Sequence, residues 1–297
     1  MSTVSWRDWI QASRAKFFIA TIIPLALGGT VAAKAGAWDT GMWLVILLAS
    51  FLVHLNTNLA NDYFEHLGGV DASGGIGGSR VIQEGKITPN QIRNFLIAGY
   101  FIALVCGLYL LWATRLWWLI GVMLFSFFSS VFYTAKPIRY GYHGLGELMV
   151  GLNMGPILTA GTASTLMGRL SLEAVGISLP IGILVAFILY YQSISDIDDD
   201  RRAGKITVAV RLGRKGVVVG FRLFVWGTAA AMLGLVLTRF IHPLGTLSIV
   251  TPYILKDLDR AIRSACDLRA LHELGQPVRQ FYVINGMMLI FAVALKL

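Results

Sequence analysis

Apolar stretches long enough to cross a bilayer recur from one end of this chain to the other, which leaves few folds open to it. About 20 consecutive apolar residues span the ~30 Å hydrocarbon layer as a helix. Windows of that kind lie at about 17–36, 41–64, 92–113, 116–135, 146–167, 172–194, 216–238, 240–259 and 279–296. The fifth window is interrupted by Gly151, Asn153, Gly155, Pro156 and Gly161, and the eighth is short. Of the 297 residues, 56% are hydrophobic and only 14% charged, against about 25% charged in ordinary soluble domains. The expectation is an all-α, polytopic membrane protein of about nine transmembrane helices forming a single domain over 1–297.

Charge gives an independent check on this topology. If the N-terminus lies inside, 20 of the 25 Lys and Arg residues fall in inner segments, leaving Lys34, Arg115, Arg169, Arg239 and Lys296 outside. Cytoplasmic loops carry that bias, so the N-terminus and the polar loops are expected on the cytoplasmic side of the cell membrane. All but Asp39 and Glu173 of the 16 acids fall on the same side. The net charge of +9 then reads as topology and contact with anionic lipid or substrate rather than nucleic-acid binding. Cys106 lies in an apolar window and Cys266 in an inner loop, so no disulfide framework is implied. Trp6, Trp9 and Ile10 stand among polar residues ahead of the first window, as in an interfacial helix.

Two inner segments carry chemistry. At the end of the second window, Asn58, Asp62 and Glu65 recur at i, i+4 and i+7 and Asn61 and Glu65 at i and i+4, so their oxygens converge on a helix. A glycine-rich stretch containing Asp71 follows and returns through Arg80. At the end of the sixth window Asp196 and Asp200 share a face, with Asp199 beside them, followed by Arg201, Arg202 and Lys205. Crowded carboxylates beside lipid require a cation. Carboxylate and Asn oxygens hold hard cations such as Mg²⁺, while Arg and Lys hold phosphate oxygens. A diphosphate arriving with Mg²⁺ fits both halves. A third inner segment, Tyr133 to Glu147, adds Lys136, Arg139, Tyr140 and His143 around Pro137 and Gly141. His143 has no second His or Cys at ligand spacing and reads as a loop residue.

Asn61-Asp62-Tyr63-Phe64-Glu65, Tyr133-Thr134-Ala135-Lys136-Pro137 and the run from Asp196 to Lys205 and on to Gly213 resemble the signatures of the UbiA superfamily of intramembrane prenyltransferases. Within it, Asn58 to Tyr63, Arg80 with Gln83 to Thr88, Gly144 to Glu147, Gly155-Pro156 and Arg14-Ala15-Lys16 are most similar to the 1,4-dihydroxy-2-naphthoate polyprenyltransferase (MenA-type) branch of menaquinone synthesis. The resemblance implies nine helices around a central cavity, with Asn61, Asp62, Glu65, Asp196 and Asp200 at a Mg²⁺ site. It implies prenyl transfer from a polyprenyl diphosphate to an aromatic acceptor within the bilayer. Arg14, Lys16, Asn58, Asp71, Arg80, Lys136, Arg139, Arg201 and Lys205 are the expected substrate contacts. Tyr133 is the expected catalytic aromatic residue, and Tyr140 or Tyr190 offers a further ring to an allylic cation. Departures from the family pattern are Glu65 for Asp, which moves the carboxylate by about 1.5 Å, Ala15 for Pro, and Gln192, Ser193 and Ser195 for an Asn-Asn-x-Arg approach.

Two other classes fit less well. A transporter places its coupling carboxylates near the bilayer midplane on broken helices, whereas these acids stand at helix ends on one side. A CDP-alcohol phosphotransferase carries Asp-x-x-Asp-Gly-x-x-Ala-Arg, and no such string occurs. Nothing in the sequence separates a dihydroxynaphthoate acceptor from 4-hydroxybenzoate or homogentisate.

Overall fold

In a computed structural model the residues described are 4–69 and 78–296, so Asp71 lies outside them. Every regular element among them is helical. In chain order these are α1 (Trp6–Ser13), α2 (Ile19–Lys34), α3 (Thr40–Leu67), α4 (Pro89–Thr114) and α5 (Trp118–Phe132), then α6 (Gly146–Leu152), a π-helical run (Asn153–Ala160) and α7 (Gly161–Met167). They continue as α8 (Leu172–Ser195), α9 (Ile197–Arg202), α10 (Val208–Leu237), two 3₁₀ turns (Pro243–Ile249 and Thr251–Leu255), α11 (Lys256–Ser264), a further 3₁₀ turn (Leu268–Leu274) and α12 (Gln276–Ala294).

Six helices have the length and apolarity to cross a membrane: Ala15–Lys34, α3, α4, α8, α10 and α12. The other three windows of the nine fold less regularly. The fourth folds as α5, of only 15 residues. The fifth is α6, the π-helical run and α7 in one continuous path, widened around Pro156, whose ring removes a helix hydrogen bond. The eighth breaks into the 3₁₀ turns begun by Pro243 and Pro252, then enters the charged helix α11.

The composite fifth segment lies close against α8 because three glycines meet there. A Cβ on Gly155 would stand 2.7 Å from the Gly182 Cα, and one on Gly182 would stand 2.8 Å from the Gly151 carbonyl. Small residues let helix backbones approach in lipid, where packing rather than water exclusion drives association. The largest buried cluster surrounds α8, with Phe187, Tyr190, Phe221, Phe281 and Tyr282 all sealed from solvent. By contrast, α4 and α5 turn Ile97, Trp112 and Phe128 outward, as lipid-facing helices do.

At 1.5 Å per residue, the 28 residues of α3 extend about 42 Å, beyond the ~30 Å hydrocarbon layer. Its closing turns, from Asn58 on, stand at one end of the bundle. Helix α8 ends at Ser195, and the chain turns through Asp196 into α9. This second acid group is tied to the third inner segment, because Ile206 N–H donates to the Tyr142 carbonyl (2.9 Å) and Arg211 to that of His143 (2.6 Å).

Candidate active site

The acid-bearing ends of α3 and α8–α9 meet at one end of a single chamber of about 1270 Å³. Asn58, Asn61, Glu65, Asp196, Asp199, Asp200 and Lys205 line this end, together with Arg14, Lys16, Arg80 and Tyr133. Away from it the wall becomes apolar, with Leu104, Leu108, Leu111, Met123 and Leu124 from α4 and α5.

Lys205 joins the two halves. Its Nζ lies 3.5 Å from Asp200 Oδ1 and 3.8 Å from Glu65 Oε1, held there because its backbone N–H closes the α9 turn onto the Asp200 carbonyl at 2.8 Å. Burial works against the ammonium, but the Glu65 and Asp200 carboxylates outweigh it and hold the Lys205 pKa well above its usual value. Tyr142 donates its hydroxyl to Glu65 Oε1 at 3.4 Å; burial, reinforced by Glu65, pushes that phenol up to about 12.

Asp196 and Asp200 are the under-compensated acids. Burial raises both carboxyls from 3.8 to about 6, only partly opposed by Lys205; the Asp199 charge adds to the rise at Asp196, and those of Asp196 and Glu65 to that at Asp200. Among the described residues Asp196 accepts only a 3.4 Å contact from Ser195 Oγ. The neighbouring acids are spent otherwise. Asp199 takes Arg202 and Arg269 on one oxygen, and Asp198 pairs with Arg214 at 3.1 Å. Arg269 comes from 70 residues away, and no local pattern marked it.

On α3 the faces divide differently from the sequence expectation. Asn61 faces the chamber, its Oδ1 receiving Thr134 Oγ1 at 3.4 Å, and Asn58 donates to the Ser13 carbonyl at 2.9 Å. Asp62 points the other way and is buried. It accepts from Arg14 at 2.5 Å, from the Ser79 N–H at 3.3 Å and from the Ser79 hydroxyl. Its role is to fasten the returning loop that carries Arg80 and Gln83 to the chamber wall, assisted by Gln11, which donates to the Ser79 carbonyl at 2.8 Å. Burial opposes the Arg14 charge, but Asp62 raises its pKa overall.

Three expected substrate contacts are not brought to the chamber. Lys136 and Arg201 are exposed and off its wall. Arg139 stacks on the Tyr142 ring, 3.8 Å from its centroid. Of the tyrosines, Tyr133 and Tyr140 line the chamber, set edge to face at 5.3 Å. Tyr190 is fully buried instead, donating to the Val217 carbonyl at 2.9 Å. His54, His272 and Arg279 reach the wall without having been anticipated, since each stands alone in its own segment.

The donor set suits a hard cation. Asn61, Glu65, Asp196 and Asp200 offer oxygen ligands only, two from each helix end. Among the described residues no three His, Cys, Asp or Glu side chains converge into a ready-made cage. Mg²⁺ takes few protein ligands and completes its shell with waters and substrate phosphates, so an incomplete set of carboxylates matches it better than Ca²⁺ or Zn²⁺.

Fold and site together define an integral membrane protein with a largely apolar chamber tipped by two acid-bearing helix ends. The pattern of the UbiA prenyltransferase family matches residues 21–266, and the chain belongs to that family of enzymes. It is 28% identical to a 1,4-dihydroxy-2-naphthoate octaprenyltransferase of Bacillus subtilis (strain 168), over 82% of this chain and 76% of that one. It is 31% identical to the protein of the same name from Escherichia coli (strain K12), over 69% and 68%. A UbiA homolog from Archaeoglobus fulgidus bound to DMAPP and Mg²⁺ superposes with a TM-score of 0.65, covering 97% of this chain and 99% of that one at 12% identity.

Proposed function

We propose that the protein transfers a polyprenyl group from its diphosphate to 1,4-dihydroxy-2-naphthoate in a Mg²⁺-dependent reaction, on the cytoplasmic side of the cell membrane. The observation that carries this reading is the meeting of Asn61 and Glu65 with Asp196 and Asp200 at one end of a chamber whose remaining wall is mostly apolar. A diphosphate needs the polar end and a hydrocarbon chain the apolar one. The relatives named for dihydroxynaphthoate transfer and the Mg²⁺-bound homolog support the choice of acceptor and metal.

Asn61, Glu65, Asp196 and Asp200 would hold the metal, which when bound supplies positive charge to the departing diphosphate. Lys205, Arg14 and Arg80 line the same end and steady phosphate oxygens as the allylic C–O bond stretches. The apolar wall keeps water from the cation-like carbon, and the Tyr133 and Tyr140 rings present π faces to it. The electron-rich ring attacks that carbon, and a carboxyl at the attacked position leaves as carbon dioxide.

The test is to incubate the purified protein in lipid vesicles with Mg²⁺, a labelled prenyl diphosphate and a panel of aromatic acids, and to weigh the products. Dihydroxynaphthoate is expected to gain the prenyl group and lose carbon dioxide. Prenylation of 4-hydroxybenzoate alone, with its carboxyl retained, would replace the proposed acceptor; no product with any acid would overturn the reading.

A further inference from the structure

Beyond the acids, the chamber wall carries polar groups that a prenyl chain cannot use. One turn deeper than Asn61 on α3, Thr57 and Ser130 share a 2.6 Å hydrogen bond, and Tyr100 joins Ser130 at 2.6 Å. A further turn in, His54 Nδ1 lies 2.6 Å from Thr21 Oγ1 on α2. All of these residues line the chamber. His54 stands seven residues before Asn61, about 10 Å further along the helix. A hydrocarbon chain has no atom for such groups, and buried polar atoms are costly unless bonded. An aromatic ring bearing oxygen substituents is the substrate that matches them, and a bicyclic ring fits within that depth.

Thr21 is fully buried and its Oγ1 makes no other hydrogen bond among the described residues, so the assignment that leaves its hydroxyl hydrogen paired has it donate to Nδ1 and puts the imidazole hydrogen on Nε2. Nε2 has no partner among the described residues and is not sealed from the chamber. Phe18 meets the imidazole edge to face at 5.3 Å and packs in turn on Phe51 at 5.2 Å, fixing the ring plane. We infer that His54, oriented by Thr21, donates its Nε2–H to an oxygen substituent of the aromatic acceptor and so binds and registers that ring against the prenyl carbon. This rests on the proposed transfer to an aromatic ring and assigns one of that ring's contacts.

Three acceptors probe it: 1,4-dihydroxy-2-naphthoate, 1-hydroxy-2-naphthoate lacking one hydroxyl, and 1,4-naphthalenediol lacking the carboxylate. Direct binding of each to the purified protein is measured by tryptophan fluorescence without Mg²⁺ or prenyl diphosphate, alongside KM values for both substrates. His54→Phe is expected to weaken the full acceptor by about 10- to 100-fold, the worth of one hydrogen bond to an ionised or buried oxygen, with the KM of the prenyl diphosphate within twofold of wild type. The variant should also lose the wild type's preference for the full acceptor over whichever analogue lacks the bonded oxygen. His54→Gln, which can still place an N–H donor there, should recover most of the affinity, and Thr21→Val should weaken binding to a smaller extent. Should His54→Phe misfold, His54→Gln and Thr21→Val carry the same comparison. Unchanged acceptor binding in all folded variants, or an equal loss for both substrates, overturns the inference. Wild-type protein that transfers prenyl groups to no aromatic ring overturns the underlying function instead, and that is seen before any variant is made.

Discussion

Replacing Asp200 by Asn should make the protein more stable and inactive together, and the gain should depend on pH. Burial raises the Asp200 carboxyl from 3.8 to about 6, a value that already includes the opposing pull of Lys205 at 3.5 Å. At about 1.4 kcal/mol per pH unit, holding that carboxylate charged in the fold costs about 3 kcal/mol. The sign follows from protonation. Below about pH 4 the group is protonated folded or unfolded, so Asn changes little. Between pH 4 and 6 the unfolded chain releases the proton and the fold retains it, so the cost grows with pH. Above about pH 6 the full cost is present, and Asn removes it. For a chain of this size that corresponds to a rise of about 6 °C in unfolding temperature. Tryptophan fluorescence during heating, in Mg²⁺-free detergent solution at pH 4, 6 and 8, measures it. Saturating Mg²⁺ should narrow the gap by stabilising the wild type alone. Equal shifts at pH 4 and pH 8, or destabilisation at pH 8, would refute the reasoning that Asp200 is kept charged for a ligand rather than for the fold.

Other expectations concern the frame. Arg14→Ala leaves Asp62 buried with only Ser79 as partner among the described residues, so it should destabilise by about 3–5 kcal/mol in thermal unfolding; a loss under about 1 kcal/mol would contradict the assigned pairing. Gly182→Val forces α8 off the Gly151 and Gly155 backbone and should cost about 1–3 kcal/mol, read the same way. Cys266 is exposed and Cys106 buried, so a membrane-impermeant maleimide should label Cys266 only after cells are opened; labelling of intact cells would reverse the orientation.

Much of this was legible because it rests on local chemistry. Apolar windows located the long helices, since a bilayer imposes length, and the i, i+4 spacing placed Asn61 with Glu65 and Asp196 with Asp200. Legibility failed where neighbours in sequence diverge in space. Asn61 and Asp62 are adjacent, yet a helix turns them about 100° apart, and Asp62 went to Arg14 and Ser79 rather than to the chamber. Lys136 and Arg201 carry the right charge, but their segments turn them outward. The Arg269 bridge to Asp199 and the Thr21 contact to His54 join residues far apart in the chain, and pattern alone does not show them. The fifth and eighth windows are apolar like the rest, but Pro156, Pro243 and Pro252 deny them a regular helix.

In the proposed reaction α3 and α8–α9 together hold one metal-bound diphosphate. Calorimetric titration of a prenyl diphosphate into the purified protein, with Mg²⁺ and then with EDTA, tests it directly in the wild type, in Glu65→Gln and in the double variant Asp196→Asn with Asp200→Asn. Binding should require Mg²⁺ and should fall at least tenfold when either helix loses its carboxylates. Tight binding that persists in EDTA, or that survives the double substitution unchanged, would contradict it.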